Sequence, residues 1–265
     1  MAKIKPMLLS EIKWGGDLEQ FIGWYAQEKQ NGVRSIVHIK NHKIVAIRNR
    51  SDIPTLHLYP ELEGLNIPEV DTAILDCEII VEKEGKSVFY GGIDRRRSRD
   101  LERAEELPVK IMIFDVIFWE GQICLQKGYK ERYALIEAIK PQERVEVVTN
   151  FKNDSVEDLR ALWERIVKDN REGIVIKNPM AIYEMGGRSK QNLKIKNYKK
   201  VDVYVEATES NPKGTKIFGK VEINGEKIEV EAQVGGQEVP IGSTQTITYL
   251  DIYNNRLIQP HRARI

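Results

Sequence analysis

The chain has 265 residues, 41% hydrophobic and 31% charged, with a formal net charge of +1. That length allows one large domain, or a medium domain plus a small one. The balanced charge excludes a uniformly basic nucleic-acid glue, so a nucleic-acid site has to come from local clusters of lysine and arginine.

Cys77 and Cys124 lack metal-ligand spacing, the first residues lack the apolar stretch of a signal peptide, and the longest apolar run, Ile111 to Trp119, is too short to span a membrane. A reducing cytoplasm and no membrane partner are the expectation. In chain order, Ser35 to Ile47 alternates as two paired strands turning at Asn41-His42, and Ala73 to Val81 and Val109 to Trp119 read as strands. Tyr129 to Lys140 reads as a helix stopped by Pro141. Asp154 to Asp169 is a second helix, with Leu159, Leu162 and Ile166 on one face and Asp154 or Ser155 as its cap. Glu172 to Lys177 is a short apolar strand. Beyond residue 199 come short strands at Val201 to Thr208, Phe218 to Ile223, Lys227 to Gln233 and Thr244 to Tyr253, separated by Gly and Asn turns. Strands and helices do not alternate regularly, so the expected class is α+β, with residues 1–198 as one domain and 199–265 as a small barrel of OB-fold size.

Several segments carry charge where packing does not ask for it. Lys29-Gln30-Asn31-Gly32-Val33-Arg34 reads by itself as a β-hairpin, because Asn-Gly between apolar runs is a turn signal. In Leu75-Asp76-Cys77-Glu78-Ile79 the two carboxylates share a strand face that Ile74 and Ile80 extend with apolar residues. Side by side they need a cation or donor, unless the face is simply solvated. Asp115, inside an apolar strand, needs a partner. Its neighbour Phe114 is either core or a ring face for a base. Glu172 and Lys177 end one strand with opposite charges. Lys194 and Lys196 share a face opposite Leu193 and Ile195, either as a solvated edge or as an anion grip.

Taken in order, these segments resemble the collinear motifs of the covalent nucleotidyltransferase superfamily of DNA ligases, RNA ligases and capping enzymes. Those motifs run Lys-x-Asp-Gly-x-Arg, Ser-Arg-x-Gly, Leu-Asp-Gly-Glu, Phe-Asp, Glu-Gly-hydrophobic-hydrophobic-Lys and Lys-x-Lys. The opening Lys5-Pro6-Met7-Leu8-Leu9 is similar to the start of a ligase catalytic domain, and no Walker phosphate loop is present. The resemblance implies an adenylyltransferase (ATP-grasp-like) catalytic domain followed by an OB-fold. It implies a monomeric ATP-dependent DNA ligase of the minimal two-domain kind, serving DNA replication and repair by sealing 5′-phosphate/3′-hydroxyl nicks in duplex DNA.

On that resemblance Lys29 attacks the α-phosphate of ATP and carries AMP, which passes to the 5′-phosphate before a 3′-hydroxyl displaces it. To attack, Lys29 has to shed its proton. Lys194 and Lys196 grip phosphates. Phe114 stacks on adenine, and Arg34, Glu78 and Lys177 complete the nucleotide site, with Glu78 at the ribose hydroxyls. Glu172 and Glu78 are the expected oxygen ligands of Mg²⁺. Arg50, Asn31, Arg188 and Arg264 face nucleic acid, with Arg95, Arg96, Arg97 and Arg262 as further basic surface. Three positions depart from the family pattern: Asn31 stands for Asp, Cys77 for Gly, and Asn49 for the Ser before Arg50. Arg264 takes the arginine place of a last Arg-x-Asp-Lys motif, without the Asp-Lys. The alternatives are an RNA ligase or RNA-capping nucleotidyltransferase, or a catalytically weakened nucleic-acid-binding relative.

Overall fold

The computed structural model describes residues 3–83, 86–87, 106–236 and 238–262. Arg95, Arg96, Arg97 and Arg264 lie outside the described residues. The chain divides into two compact units, Met1–Ile195 and Lys196–Ile265. The first is built on strands β1 (Leu8–Glu11), β2 (Tyr25–Glu28), β3 (Val33–Lys40), β4 (Lys43–Asn49), β5 (Thr72–Lys83), β6 (Lys86–Ser87), β7 (Val109–Trp119), β8 (Gln122–Ile123), β9 (Val145–Val147), β10 (Phe151–Lys152), β11 (Gly173–Lys177) and β12 (Arg188–Lys196). Among the described residues the α-helices α1 (Tyr129–Ile136) and α2 (Val156–Lys168) accompany them. The described residues are therefore mostly β. None of their helices is long and apolar enough to cross a membrane.

Two sheets organise the first unit. One runs β1-β12-β11-β2-β10; the other runs β4-β3-β5-β7-β8, with β6 on β5 and β9 on β7. The pair β3/β4 turns at Asn41 and His42, both in the left-handed region (φ 51° and 62°), as the alternation predicts. Strand β5 sends Leu75, Cys77, Ile79 and Val81 into the main core beside Ile111 and Ile113. Its other face carries Asp76 and Glu78. Helix α2 opens with Ser155 as cap: its hydroxyl accepts from the Asp158 N–H (3.2 Å) and the Asp158 carboxylate accepts from the Ser155 N–H (2.9 Å). The helix buries Leu159, Leu162 and Ile166. Helix α1 ends at Ile136, four residues before the expected stop.

The hairpin expected at Asn31-Gly32 is absent. Strand β2 belongs to one sheet and β3 to the other, so Gln30-Asn31-Gly32 is a crossing between sheets. A Cβ on Gly32 would stand 2.3 Å from the Ile79 carbonyl oxygen, so glycine is required by the close approach to β5 rather than by a turn.

The second unit holds β13 (Lys199–Asn211), β14 (Gly214–Ile223), β15 (Glu226–Gly235), β16 (Thr244–Tyr249), β17 (Asp251–Tyr253), β18 (Arg256–Ile258) and β19 (His261–Arg262). The order β14-β13-β16-β19-β15 closes on itself through β14–β15, forming a barrel around Val203, Val205, Ile217, Val230 and Ile247. The single strand expected over Thr244 to Tyr253 breaks at Leu250.

Asp76 and Asp115 are register partners on β5 and β7 and both are buried. Each has its own guanidinium. Arg34 donates to both oxygens of Asp76 (2.5 Å each), and Arg132 to both oxygens of Asp115 (2.7 and 3.0 Å). Removing one partner of such a pair strands a charge in the core. Arg132→Met should therefore cost about 3–5 kcal/mol of stability in urea denaturation, with Asp115→Leu in the same chain recovering most of it.

Candidate active site

One cavity of about 240 Å³ opens where the two sheets of the first unit meet. Its wall includes Lys29, Arg34, Arg50, Glu78, Phe114, Lys177, Arg188 and Lys194, which sequence reasoning picked out from seven separate segments.

Lys29 follows the end of β2, held by its N–H to the Gly173 carbonyl (2.9 Å). Its Nζ donates to the Glu172 carboxylate at 2.8 Å, and Glu172 is only 5% exposed. The acid at the head of the Glu172–Lys177 strand is thus the immediate partner of the candidate nucleophile. Glu78 lines the same wall from β5. Burial pushes its carboxyl up to about 7, against the opposing pull of Lys29 and Arg34.

Lys177 ends β11 with its ammonium buried. It donates to the Phe114 carbonyl (2.9 Å) and stands 4.1 Å over the Tyr129 ring. Burial lowers it to about 7; Asp115 opposes that shift and Arg132 adds to it. Phe114 presents its ring to the cavity, with the Arg34 guanidinium 4.6 Å from its centroid. Arg34 itself is committed, since its Nε and Nη2 are spent on Asp76. Burial opposes its charge, but Asp76 outweighs that and holds it above its ordinary range.

Arg50 is presented by a short loop. The Asn49 side-chain oxygen accepts from the N–H groups of Ser51 (2.9 Å) and Ile53 (3.1 Å), so the asparagine that departs from the family pattern closes this turn. Arg188 donates to the Leu9 carbonyl (2.5 Å), and Lys194 pairs with Glu11 at 3.2 Å. Leu193 and Ile195 are buried while Lys194 and Lys196 are half-buried, as their alternation predicts. Lys196 belongs to the second unit, where it donates to the Gln259 amide oxygen at 2.7 Å. Asn31 is not among the lining residues; its N–H donates to the Ser87 hydroxyl (3.3 Å).

Four residues that pattern reading did not single out shape this cavity. Gln27 lies on its wall, 2% exposed, and gives its Nε2 to the Tyr129 hydroxyl (3.0 Å) and the Val148 carbonyl (3.3 Å). Tyr129 passes its own hydrogen to Asn150 (3.1 Å). The Gln27 amide oxygen is left as that side chain's acceptor toward the cavity. Tyr183 donates to Asp76 and accepts from the Met7 N–H (3.2 Å). Arg132 also reaches the Lys127 and Ala181 carbonyls, tying α1 to the loop before β12. The one available signal was Asp115, whose burial demanded a cation from somewhere.

The chain is similar to known proteins in both sequence and fold. Residues 6–196 match the family model described as ATP dependent DNA ligase domain. The chain is 29% identical over 172 residues to a DNA ligase of Archaeoglobus fulgidus, covering 63% of this chain and 31% of that protein. It is 30% identical over 206 residues to DNA ligase 1 of Methanosarcina acetivorans, covering 70% and 35% respectively. The matched stretch thus spans about a third of each relative's length. In fold it is similar to a solved Lig E DNA ligase, with a TM-score of 0.71 at 16% identity over 98% of this chain and 99% of that one. It is also similar to the ATP-dependent DNA ligase from bacteriophage T7, with a TM-score of 0.53 at 14% identity over 100% of both chains.

Lys177 gives the cavity a measurable signature. Its pKa is lowered on folding, so between pH 7 and 10.5 the unfolded chain binds the extra proton and stability should rise with pH, by up to about 1.4 kcal/mol per unit. Denaturant unfolding of the wild type and of Lys177→Met at pH 7.5 and 9.5 checks this. The wild type should gain more stability than the variant across that interval.

Proposed function

The chain belongs to the ATP-dependent DNA ligase domain family, and from that premise we propose that it seals 5′-phosphate/3′-hydroxyl nicks in duplex DNA through an AMP carried on Lys29. The observation that carries this reading is the Lys29 ammonium on the cavity wall, 2.8 Å from the Glu172 carboxylate. Glu172 stands ready to receive the proton that Lys29 must shed before its amine attacks the α-phosphate. The new P–N bond forms as pyrophosphate leaves.

The other residues take roles that their positions support. Phe114 offers a ring to the adenine, with Val175 also on the wall. The Gln27 amide oxygen is set to accept from the exocyclic amine of adenine, while the carbonyl that guanine carries at that edge would meet it acceptor to acceptor. This favours ATP over GTP, and so a ligase over a capping enzyme. Glu78, near half-protonation at neutral pH, can both donate to and accept from ribose hydroxyls. Lys194, Arg50 and Arg188 supply cations for phosphates, with Lys196 and Arg264 as further candidates from the second unit. We read that unit's barrel as an OB-fold and the chain as two domains, residues 1–198 and 199–265. The protein would act as a cytoplasmic monomer.

Among the described residues no group of three or more His, Cys, Asp or Glu side chains forms a metal cage. Mg²⁺ does not ask for one, because it keeps several waters and takes one or two carboxylates plus substrate phosphates. Glu172 and Glu78 fit that donor set, and both act electrostatically at one spot, since Glu172 raises the Glu78 carboxyl. They would hold the ion, which when bound neutralises phosphate charge.

Incubation of AMP-stripped protein with magnesium and α-labelled ATP, followed by a denaturing gel, tests the reading. Label should appear on the wild type, be absent from Lys29→Ala, and not come from labelled GTP. An unlabelled wild type would overturn the assignment. Sealing of nicked duplex should also fall steeply from 50 to 200 mM salt, as phosphate contacts by Arg50, Arg188 and Lys194 release counterions. A flat salt profile would remove DNA as the substrate.

A further inference from the structure

Lys29 and Glu172 do not meet in isolation. The residue before each carries the opposite charge to it, and these two form a pair of their own: Arg171 Nη1 lies 3.4 Å from the Glu28 carboxylate, with both side chains about a quarter exposed. Along β2 the order is acid then base; entering β11 it is base then acid. Strand β2 ends at Glu28 and β11 begins at Gly173, so the two ion pairs sit side by side at the end of the β2/β11 ladder. Glu28 lines both the cavity that holds Lys29 and a neighbouring one, whereas Arg165 and Arg171 line only the neighbouring one.

This arrangement penalises a misregister that the alternation of apolar residues would not exclude. In the structure Ile174 pairs with Glu28 and Val175 with Gln27. A slip of two residues, which keeps every side chain on its own face, would set Lys29 against Arg171 and Glu28 against Glu172 together. It places like charges side by side, where they repel. The backbone around the pair is otherwise short of constraint: Gly173, with φ 152°, follows Glu172 directly. What ties the segment is the Arg171 N–H to the Ile166 carbonyl (2.9 Å), at the end of α2, and the Lys29 N–H to the Gly173 carbonyl.

We propose that the Glu28–Arg171 ion pair is a positioning device for adenylylation, fixing the register in which the Glu172 carboxylate meets the Lys29 amine. The proposal rests on Lys29 being the AMP-carrying lysine. Neither Glu28 nor Arg171 touches the reacting atoms; both act through Glu172.

The test is charge exchange. Single-turnover transfer of AMP from labelled ATP is measured for the wild type, Glu28→Arg, Arg171→Glu and the double exchange. Hydrogen exchange of the Lys29 amide is measured on the same proteins without nucleotide. Each single reversal should slow AMP transfer on the order of tenfold or more, since small misplacements of reacting groups cost that much. The double exchange should return it to within about threefold of wild type. Lys29 amide exchange should quicken in the singles and recover in the double. A thermal melt identifies any single variant that does not fold, and for it the neutral Glu28→Gln or Arg171→Gln stands in, with a smaller slowing of transfer expected. Wild-type transfer rates in folded single variants, or a folded double no faster than the singles, would overturn the proposal. If the wild type itself takes no AMP, the ligase reading fails instead, and the Lys29 amide alone decides whether the ion pair sets the register.

Discussion

Asp76 and Asp115 face each other across β5 and β7 with almost no water in reach, an arrangement that survives only because each carboxylate has a guanidinium to itself. A buried charge without a partner costs several kcal/mol, and two of like sign cost more. Most of the first unit follows from meeting that demand. Arg34 comes from β3 and Arg132 from α1, so the two ion pairs clamp the sheet from different elements. Tyr183 joins the first pair and, accepting from the Met7 N–H, ties the residue before β1 to it. Arg132, through its other nitrogen, catches the Ala181 carbonyl in the same loop. Phe114 and Lys177 then have their places fixed by neighbours that cannot move without exposing a charge.

The proposed nucleophile is held differently. Lys29 lies where the chain leaves one sheet for the other, and Gly32 lets that crossing press against β5 closely enough to bring Lys29 and Glu78 to one wall. The site is thus the seam between two sheets, with the lysine and Glu172 supplied by one and Arg34, Glu78 and Phe114 by the other. Enzymes gain from placing groups on rigid strands in this way, because orientation is settled before the substrate arrives.

Much of this was legible in the chain itself. The β3/β4 turn, the strand Val109–Trp119 and the Ser155 cap follow from local chemistry, which a single segment carries complete. The alternation in Leu75–Ile79 correctly separates core from cavity side chains, since strand geometry leaves no other choice. The crossing at Asn31-Gly32 was not legible, because a glycine needed for close approach and one needed for a turn look alike in sequence. Arg132, Tyr183, Gln27 and Tyr129 were also hidden. Each sits in an ordinary helix, loop or strand pattern, and its importance comes from a partner between 17 and 107 residues away. The orderly arrival of Lys29, Glu78, Phe114, Lys177 and Lys194 along the chain compensated, since their shared cavity joins segments that no local rule connects.

Glu78 and Lys177 both titrate near neutrality, one raised and the other lowered by the same cause, removal from water. As the solution turns from mildly acidic to mildly alkaline, Glu78 gains a negative charge while Lys177 loses a positive one. The cavity therefore sheds two units of positive charge over a narrow span, where an ordinary surface carrying one glutamate and one lysine would shed none. Its walls would welcome a polyphosphate more readily on the acid side and release one more readily on the alkaline side. That makes the cavity a charge buffer whose setting follows the acidity of its surroundings.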